Sequence, residues 1–262
     1  MASCLRLVFL VSALHLASGV IHLASILAQR KRQSALKNND TASDYGEGDK
    51  LVLSPTKDGK SSWNPASGAW QAEDFGGHVY STCLSKAMGS LATSRGVQTA
   101  LDLGAGTGHY SAAMIALGIQ TSCYDGNKQT PGLSAHLCSQ MDLAVDIVHG
   151  NNPQTNATTL QPADFVWSFE VGEHIPIEKE AVFMDNLAGL ASKILVLSWA
   201  APGQHGQGHV NERDNFYIIQ EMQKRGLTFD AEASLKLRNE AVGENCCCVW
   251  FKNTLMVFNR TA

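Results

Sequence analysis

Three residues near the middle of the chain have side chains that could do chemistry together: Glu170, Glu173 and His174, in the run Phe169-Glu-Val-Gly-Glu-His-Ile-Pro176. If the chain turns helically there, positions i, i+3 and i+4 share a face. Two carboxylates and an imidazole on one face can hold a divalent metal. A histidine near neutrality can also act as general base toward a hydroxyl. A third role is structural, the imidazole simply bracing the turn. A second cluster lies earlier, in Leu101-Asp-Leu-Gly-Ala-Gly-Thr-Gly108. Glycines let a backbone turn sharply and let a ligand approach without a Cβ in the way. The helix expected to follow offers unpaired N–H groups. Asp125 comes about 20 residues later, at the end of an apolar run, where an acid can accept both hydroxyls of a ribose. Asp102 sits two residues before the first glycine.

The elements that must position these residues follow from the pattern. Apolar runs suited to strands alternate with helical patterns: strands at 97–103, 119–124, 144–149, 163–169 and 193–199, and helices at 80–92, 109–117, 132–140, 179–191 and 211–225. The last apolar stretch, 247–259, reads as two strand pieces joined near Lys252–Asn253. Such alternation predicts an α/β fold, a doubly wound, mainly parallel sheet with helices on both faces. Ligands then bind beyond the carboxyl ends of the strands, where both clusters fall.

At these residues a family resemblance becomes visible. The stretch from Leu101 to Gly108 resembles the first motif of class I S-adenosylmethionine-dependent methyltransferases, and the resemblance covers about Trp70 to Asn259. It implies the Rossmann-like methyltransferase fold with an antiparallel C-terminal strand. It assigns Asp102, Gly104, Gly106, Gly108 and Asp125 to S-adenosylmethionine, with Asn127 beside them. Tyr80 and Trp70, in the aromatic, glycine-rich segment before the core, are candidates to pack on cofactor or substrate. The run from Glu170 to His174 resembles the family's fourth-strand motif, which faces the bound methyl group. It is also similar to ubiquinone-pathway O-methyltransferases and small-RNA 2′-O-methyltransferases. There the motif supplies metal ligands, and the small-RNA enzymes add a later histidine. Here Trp199–Val210 offers His205 and His209. The resemblance thus implies Glu170, Glu173, His174 and His209 as catalytic residues, and as ligands if a magnesium or manganese ion is used. The expected activity is methyl transfer to an oxygen of a small-molecule acceptor. The alternatives are a protein or RNA acceptor, or a cofactor-binding module without catalysis.

Composition narrows the partners. The 262 residues carry a net charge of −4 and are 44% hydrophobic. The domain has no long basic run, so the footprint of a general nucleic-acid binder is missing. The sequence divides into a targeting or anchoring segment at 1–32, a polar linker at 33–68 and the methyltransferase-like domain at 69–262. Leu7–Ala28 is almost continuously apolar or small, with Arg6 before it and Arg30–Arg32 after it. A cleaved signal peptide, an uncleaved anchor of about the 20 residues needed to cross a bilayer and an organelle transit peptide all fit. The expected location is the secretory pathway or a membrane, with organelle import as the alternative. Asn39, Asn156 and Asn259 head glycosylation tripeptides. Seven cysteines show no CxxC pair. Cys246–Cys248 read first as small apolar strand residues and second as a disulfide or thiol site, so the count leaves the redox compartment open.

Overall fold

A computed structural model of the chain describes residues 64, 66–69, 79–149, 159–243 and 246–261. All belong to one unit, Gly48–Ala262. The N-terminal segment, Trp63, Trp70, Asn39, Asn156 and Cys4 lie outside the described residues. Among the described residues no helix is long and apolar enough to cross a membrane.

Seven strands form one sheet: β1 (Thr99–Leu103), β2 (Gln120–Asp125), β3 (Ser139–Gln140), β4 (Ala163–Ser168), β5 (Ala191–Leu197), β6 (Leu227–Phe229) and β7 (Met256–Arg260), in the order β3-β2-β1-β4-β5-β7-β6. The first five run parallel, and β7 enters antiparallel between β5 and β6. The helices are α1 (Thr82–Ser94), α2 (His109–Ala116), α3 (Thr130–Leu133), α4 (Glu180–Leu190), α5 (Asn215–Lys224), α6 (Ala231–Ala241) and α7 (Phe251–Thr254).

Alternation along the strands splits the core into two layers, because successive side chains point to opposite faces. Leu101, Val166, Leu195, Leu197 and Phe258 pack with Phe183 and Leu187 of α4 and Ile218 of α5. Ala100, Phe165, Trp167, Val196 and Val257 pack on the other face with Leu84 and Met88 of α1 and Leu237 of α6. Each buried Val, Leu, Ile, Phe or Met side chain among them contributes roughly 1.5–3 kcal/mol relative to exposure. The fold is therefore doubly wound, as expected. The chain order reverses between β1 and β4, which opens a crevice at their carboxyl ends.

Three expectations fail. The helix expected at 132–140 is the single turn α3 followed by the short β3. The strand expected at 144–149 is absent: Asp142 Oδ1 accepts the Ala144 amide, and Asp146 Oδ1 accepts those of Val148 and His149. Such side-chain bonds compete with a strand ladder. Asn186 of α4 completes the capture, accepting from Ile147 N and donating to the carbonyls of Leu143 and Val145. The hairpin expected at 247–259 is α7 followed by the single strand β7. The pattern also gave no sign of β6 and α6. In α6 only Ser234, Leu237 and Ala241 are buried, too thin a stripe to stand out.

The cysteine reading is corrected as well. Cys83 bonds to Cys246, Cys123 to Cys138 and Cys247 to Cys248. Cys246–Cys248 lie in no strand, and every cysteine among the described residues is in a disulfide. Asn259, in β7, donates its side-chain amide to Asp230, so its tripeptide is committed to the sheet rather than presented for glycosylation.

Candidate functional site

The glycine loop leaves β1 at the crevice. The amides of Gly104 and Ala105 both donate to the Tyr124 carbonyl at 2.8 and 3.0 Å, tying the loop to β2. Gly104 has φ +103°, and a Cβ there would lie 2.2 Å from Val171 Cγ2. Gly104→Ala is therefore expected to cost at least about 1–3 kcal/mol from backbone strain, plus the displacement of Val171, which thermal denaturation would register. Gly108, with φ +77°, begins α2 over the Cys123–Cys138 disulfide; a Cβ there would lie 2.8 Å from Cys138 Sγ.

The two acids of this half have different environments. Asp125 ends β2 and is half-buried. Its Oδ2 accepts the Gly106 amide at 2.7 Å and its Oδ1 the Asn127 amide at 2.8 Å. The loop and the acid are thus clasped together. Asn127 is buried, and its Oδ1 accepts the Gln129 amide. Asp102 is 2% exposed and accepts the Ser111 hydroxyl of α2 at 2.7 Å. Burial, helped by the charge of Asp125, pushes its pKa up to about 7 against the bond from Ser111. It braces the loop from below. Tyr80 packs against the rings of His109 and Tyr110, at 5.2 and 5.0 Å between centroids, which places it beside the start of α2.

The second half is built from the ends of β4 and β5. Ser168 closes β4 by donating to the Leu103 carbonyl at 2.6 Å. Glu170 follows with φ +52°; its amide donates to Ser198 Oγ, and its Oε2 accepts from Gln204 Nε2 at 2.9 Å. A 3-10 turn, Gly172–His174, then carries Glu173 and His174 inward. A Cβ on Gly172 would lie 2.2 Å from the Trp199 ring, so that ring rests on the turn. The Glu173 carbonyl accepts the amides of Val210 and Asn211 at 2.9 and 3.0 Å, and this pins the loop after β5 to the turn after β4. The loop brings His209 to His174, 5.0 Å between ring centroids. His205 is exposed and stays outside.

Glu173 is 0% exposed, and neither of its carboxylate oxygens has a hydrogen-bond donor; nor does Glu170 Oε1. Among the described residues, no lysine or arginine pairs with either acid. Burial, then the charge of Glu170, holds the Glu173 carboxyl well above the usual range; the amides of Glu173 and Ala200 pull the other way without completing a bond. Burial also raises Glu170, against its bonds with Ser198 and Gln204. His174 is pushed down to about 4 by burial and by His209, against the Gly208 carbonyl that its Nδ1–H reaches at 3.1 Å. The ligand atoms of Glu173, His174 and His209 lie within 4.8 Å of one another. That set, with its two donor-less carboxylate oxygens, fits a divalent cation. Glu170 is not one of the three.

No family model matches the sequence, and no curated protein does. Solved structures do. Magnesium protoporphyrin IX methyltransferase from Synechocystis PCC 6803, with bound SAH, has 16% identity, covers 68% of this chain and 82% of its own, and has a TM-score of 0.49. A TehB-like SAM-dependent methyltransferase from Corynebacterium glutamicum has 12% identity, coverage of 69% and 88%, and a TM-score of 0.49. The N-methyltransferase NodS from Bradyrhizobium japonicum, in complex with SAH, has 14% identity, coverage of 68% and 86%, and a TM-score of 0.46. The chain is similar to these methyltransferases.

The residues that sequence reasoning missed stand behind the site. Glu212 accepts the amides of Gly203 and His205 and the Nδ1–H of His209. Glu180 accepts from Asn211, Arg213 and the Tyr217 hydroxyl. Gln204 serves Glu170. An acid three residues after a loop histidine was the one available signal for Glu212. The described part of the segment before the domain also reaches the crevice. A Cβ on Gly68 would lie 2.3 Å from the His174 carbonyl, and one on Gly126 would lie 2.5 Å from Ala69 Cβ. The turn at 66–69 therefore spans the ends of β2 and β4.

Proposed function

We propose that the chain transfers a methyl group from S-adenosylmethionine to a hydroxyl oxygen of a small-molecule acceptor. The observation that carries this reading is the clasp of Asp125 on Gly106, set beside a donor-less acid and two histidines in one crevice. When bound, S-adenosylmethionine supplies a sulfonium methyl that is already activated. The protein's work is then alignment and proton removal. Gly104, Gly106 and Gly108 shape the cradle, Asp125 offers its remaining lone pairs to a ribose, and Tyr80 flanks the opening. Glu170, Glu173, His174 and His209 receive the acceptor and its proton. Glu173, His174 and His209 would hold a magnesium or manganese ion, which lowers the pKa of a bound hydroxyl. The turn at 66–69 and the loop after β5 shield the crevice from water.

The buried position of the acids supports a small acceptor, and the net charge of −4 speaks against RNA. Three disulfides support passage through the secretory pathway, with Leu7–Ala28 as signal peptide or anchor.

Calorimetric titration with S-adenosylmethionine, with and without magnesium or manganese, tests the reading. Asp125→Ala removes the acceptor proposed for the ribose hydroxyls, and a hydrogen bond to a charged group is worth about 1.5–3 kcal/mol, so affinity should fall at least about tenfold. A protein that binds no S-adenosylmethionine under any of these conditions is not a methyltransferase of this kind.

A further inference from the structure

We propose that Glu212 is the positioning residue of this site: one carboxylate folds the loop that carries His209 and selects the ring nitrogen that His209 presents to the cluster. The inference rests on the reading that His174 and His209 handle an acceptor proton or a cation.

The geometry is convergent. Glu212 Oε2 accepts the Gly203 amide at 2.7 Å, and Oε1 accepts the His205 amide at 2.9 Å and the His209 Nδ1–H at 3.1 Å. Three donors from one short loop meet on one side chain. That loop has left-handed backbone at Gly203, His205 and Gly208, with φ of +84°, +56° and +75°. His205 is not a glycine, and such a conformation costs energy unless the surroundings hold it. Glu212 supplies the hold by capturing the His205 amide.

The same carboxylate decides the chemistry of the ring. A histidine that donates through Nδ1 carries its lone pair on Nε2. His209 Nε2 is the atom that a Cβ on Gly206 would meet at 2.1 Å, so the ring lies against Gly206 and a side chain there would push it aside. The loop that Glu212 folds also carries the Gly208 carbonyl, which takes the Nδ1–H of His174. Both rings are thereby set to the same tautomer through one anchor. With its Nδ1–H committed to Glu212, His209 is left with an Nε2 lone pair that accepts a proton or binds a cation and does not donate. The ligand that suits this pocket brings the hydrogen, as a hydroxyl does.

The test reads the tautomer directly. Long-range 1H–15N correlation of the imidazoles in the intact protein should show His209 with Nδ1–H and an unprotonated Nε2. Glu212→Ala should collapse that pattern to a mixture of tautomers. Glu212→Gln, whose amide oxygen can still accept at the Oε1 position, should restore most of it. In parallel, Mn2+ affinity by calorimetry should fall about 10–100-fold in Glu212→Ala, while S-adenosylmethionine affinity stays within about twofold, which shows the fold intact. A His209 pattern unchanged in Glu212→Ala, or an Nε2–H pattern in the unaltered protein, overturns the proposal. If the unaltered protein binds no Mn2+ but the tautomer still collapses in Glu212→Ala, the role of Glu212 stands and the cation reading falls.

Discussion

Glu173→Gln should yield a protein that is more stable and has lost its grip on Mn2+. The carboxyl of Glu173 is fully buried, has no hydrogen-bond donor and lies beside the partly buried Glu170. An unsatisfied buried polar group costs about 1–3 kcal/mol, and more when charged. No cationic side chain among the described residues pairs with either acid to repay that cost. Glutamine keeps the shape, cannot ionise and brings an N–H donor toward Glu170 Oε1, which has none. The urea midpoint should therefore rise by an amount equivalent to about 1–3 kcal/mol. At the same time the one carboxyl of the Glu173, His174 and His209 set, the member that can bind a cation as an anion, is gone, so Mn2+ affinity should drop at least about tenfold. A glutamine variant less stable than the parent would mean that Glu173 has a partner in the folded protein, and the argument for a ligand would lose its basis.

The second large effect depends on pH and belongs to Asp102. Burial lifts its pKa from the ordinary 3.8 to about 7. Below 3.8 the folded and unfolded chains both carry the proton, and the residue costs nothing. As pH rises from there, the unfolded chain releases its proton while the folded one keeps it, so stability is lost until the folded pKa is passed near 7. At 1.36 kcal/mol per pH unit, the gap is about 4 kcal/mol. Asp102→Asn cannot ionise, and its amide oxygen can still accept from Ser111. Urea denaturation should show the asparagine variant and the parent nearly equal at pH 4 and the variant ahead by up to about 4 kcal/mol at pH 8. His174 titrates in the opposite sense, its stability contribution lost as pH falls from 6.5 toward 4. It is present in both proteins and cancels in the comparison. A difference that stays constant with pH would mean that Asp102 ionises as an ordinary surface acid does.

Much of the crevice was legible because its chemistry is local in sequence. The glycines, Asp102 and Asp125 stand at the ends of the first two strands, and Glu170, Glu173 and His174 follow the fourth. Strand ends are where an alternating pattern changes, so they are visible without knowing the packing. His209 was reached only through the family resemblance, because its approach to His174 depends on the hydrogen bonds from Val210 and Asn211 to Glu173. Glu212 and Gln204 were out of reach for the same reason: their partners are fixed by a loop with no period. The strand expected at 144–149 looked apolar enough, but Asp142, Asp146 and the distant Asn186 took its backbone groups. Cys246–Cys248 were misread because pairing is a three-dimensional fact. The partner of Cys246 lies 163 residues away.

That last bond makes the chain a covalent ring from the start of α1 to the segment before α7. Six of the seven strands lie on the ring, and β7 lies outside it, yet β7 is wedged between β5 and β6. An oxidised chain therefore refolds with its ends already drawn together, a gain of about 5 kcal/mol by loop-entropy reckoning, and must still admit a loose tail into the middle of a sheet. It also survives a cut. A protease that severs any single peptide bond between Cys83 and Cys246 leaves both pieces tied, and the nicked protein would run as one species until a reductant separates it.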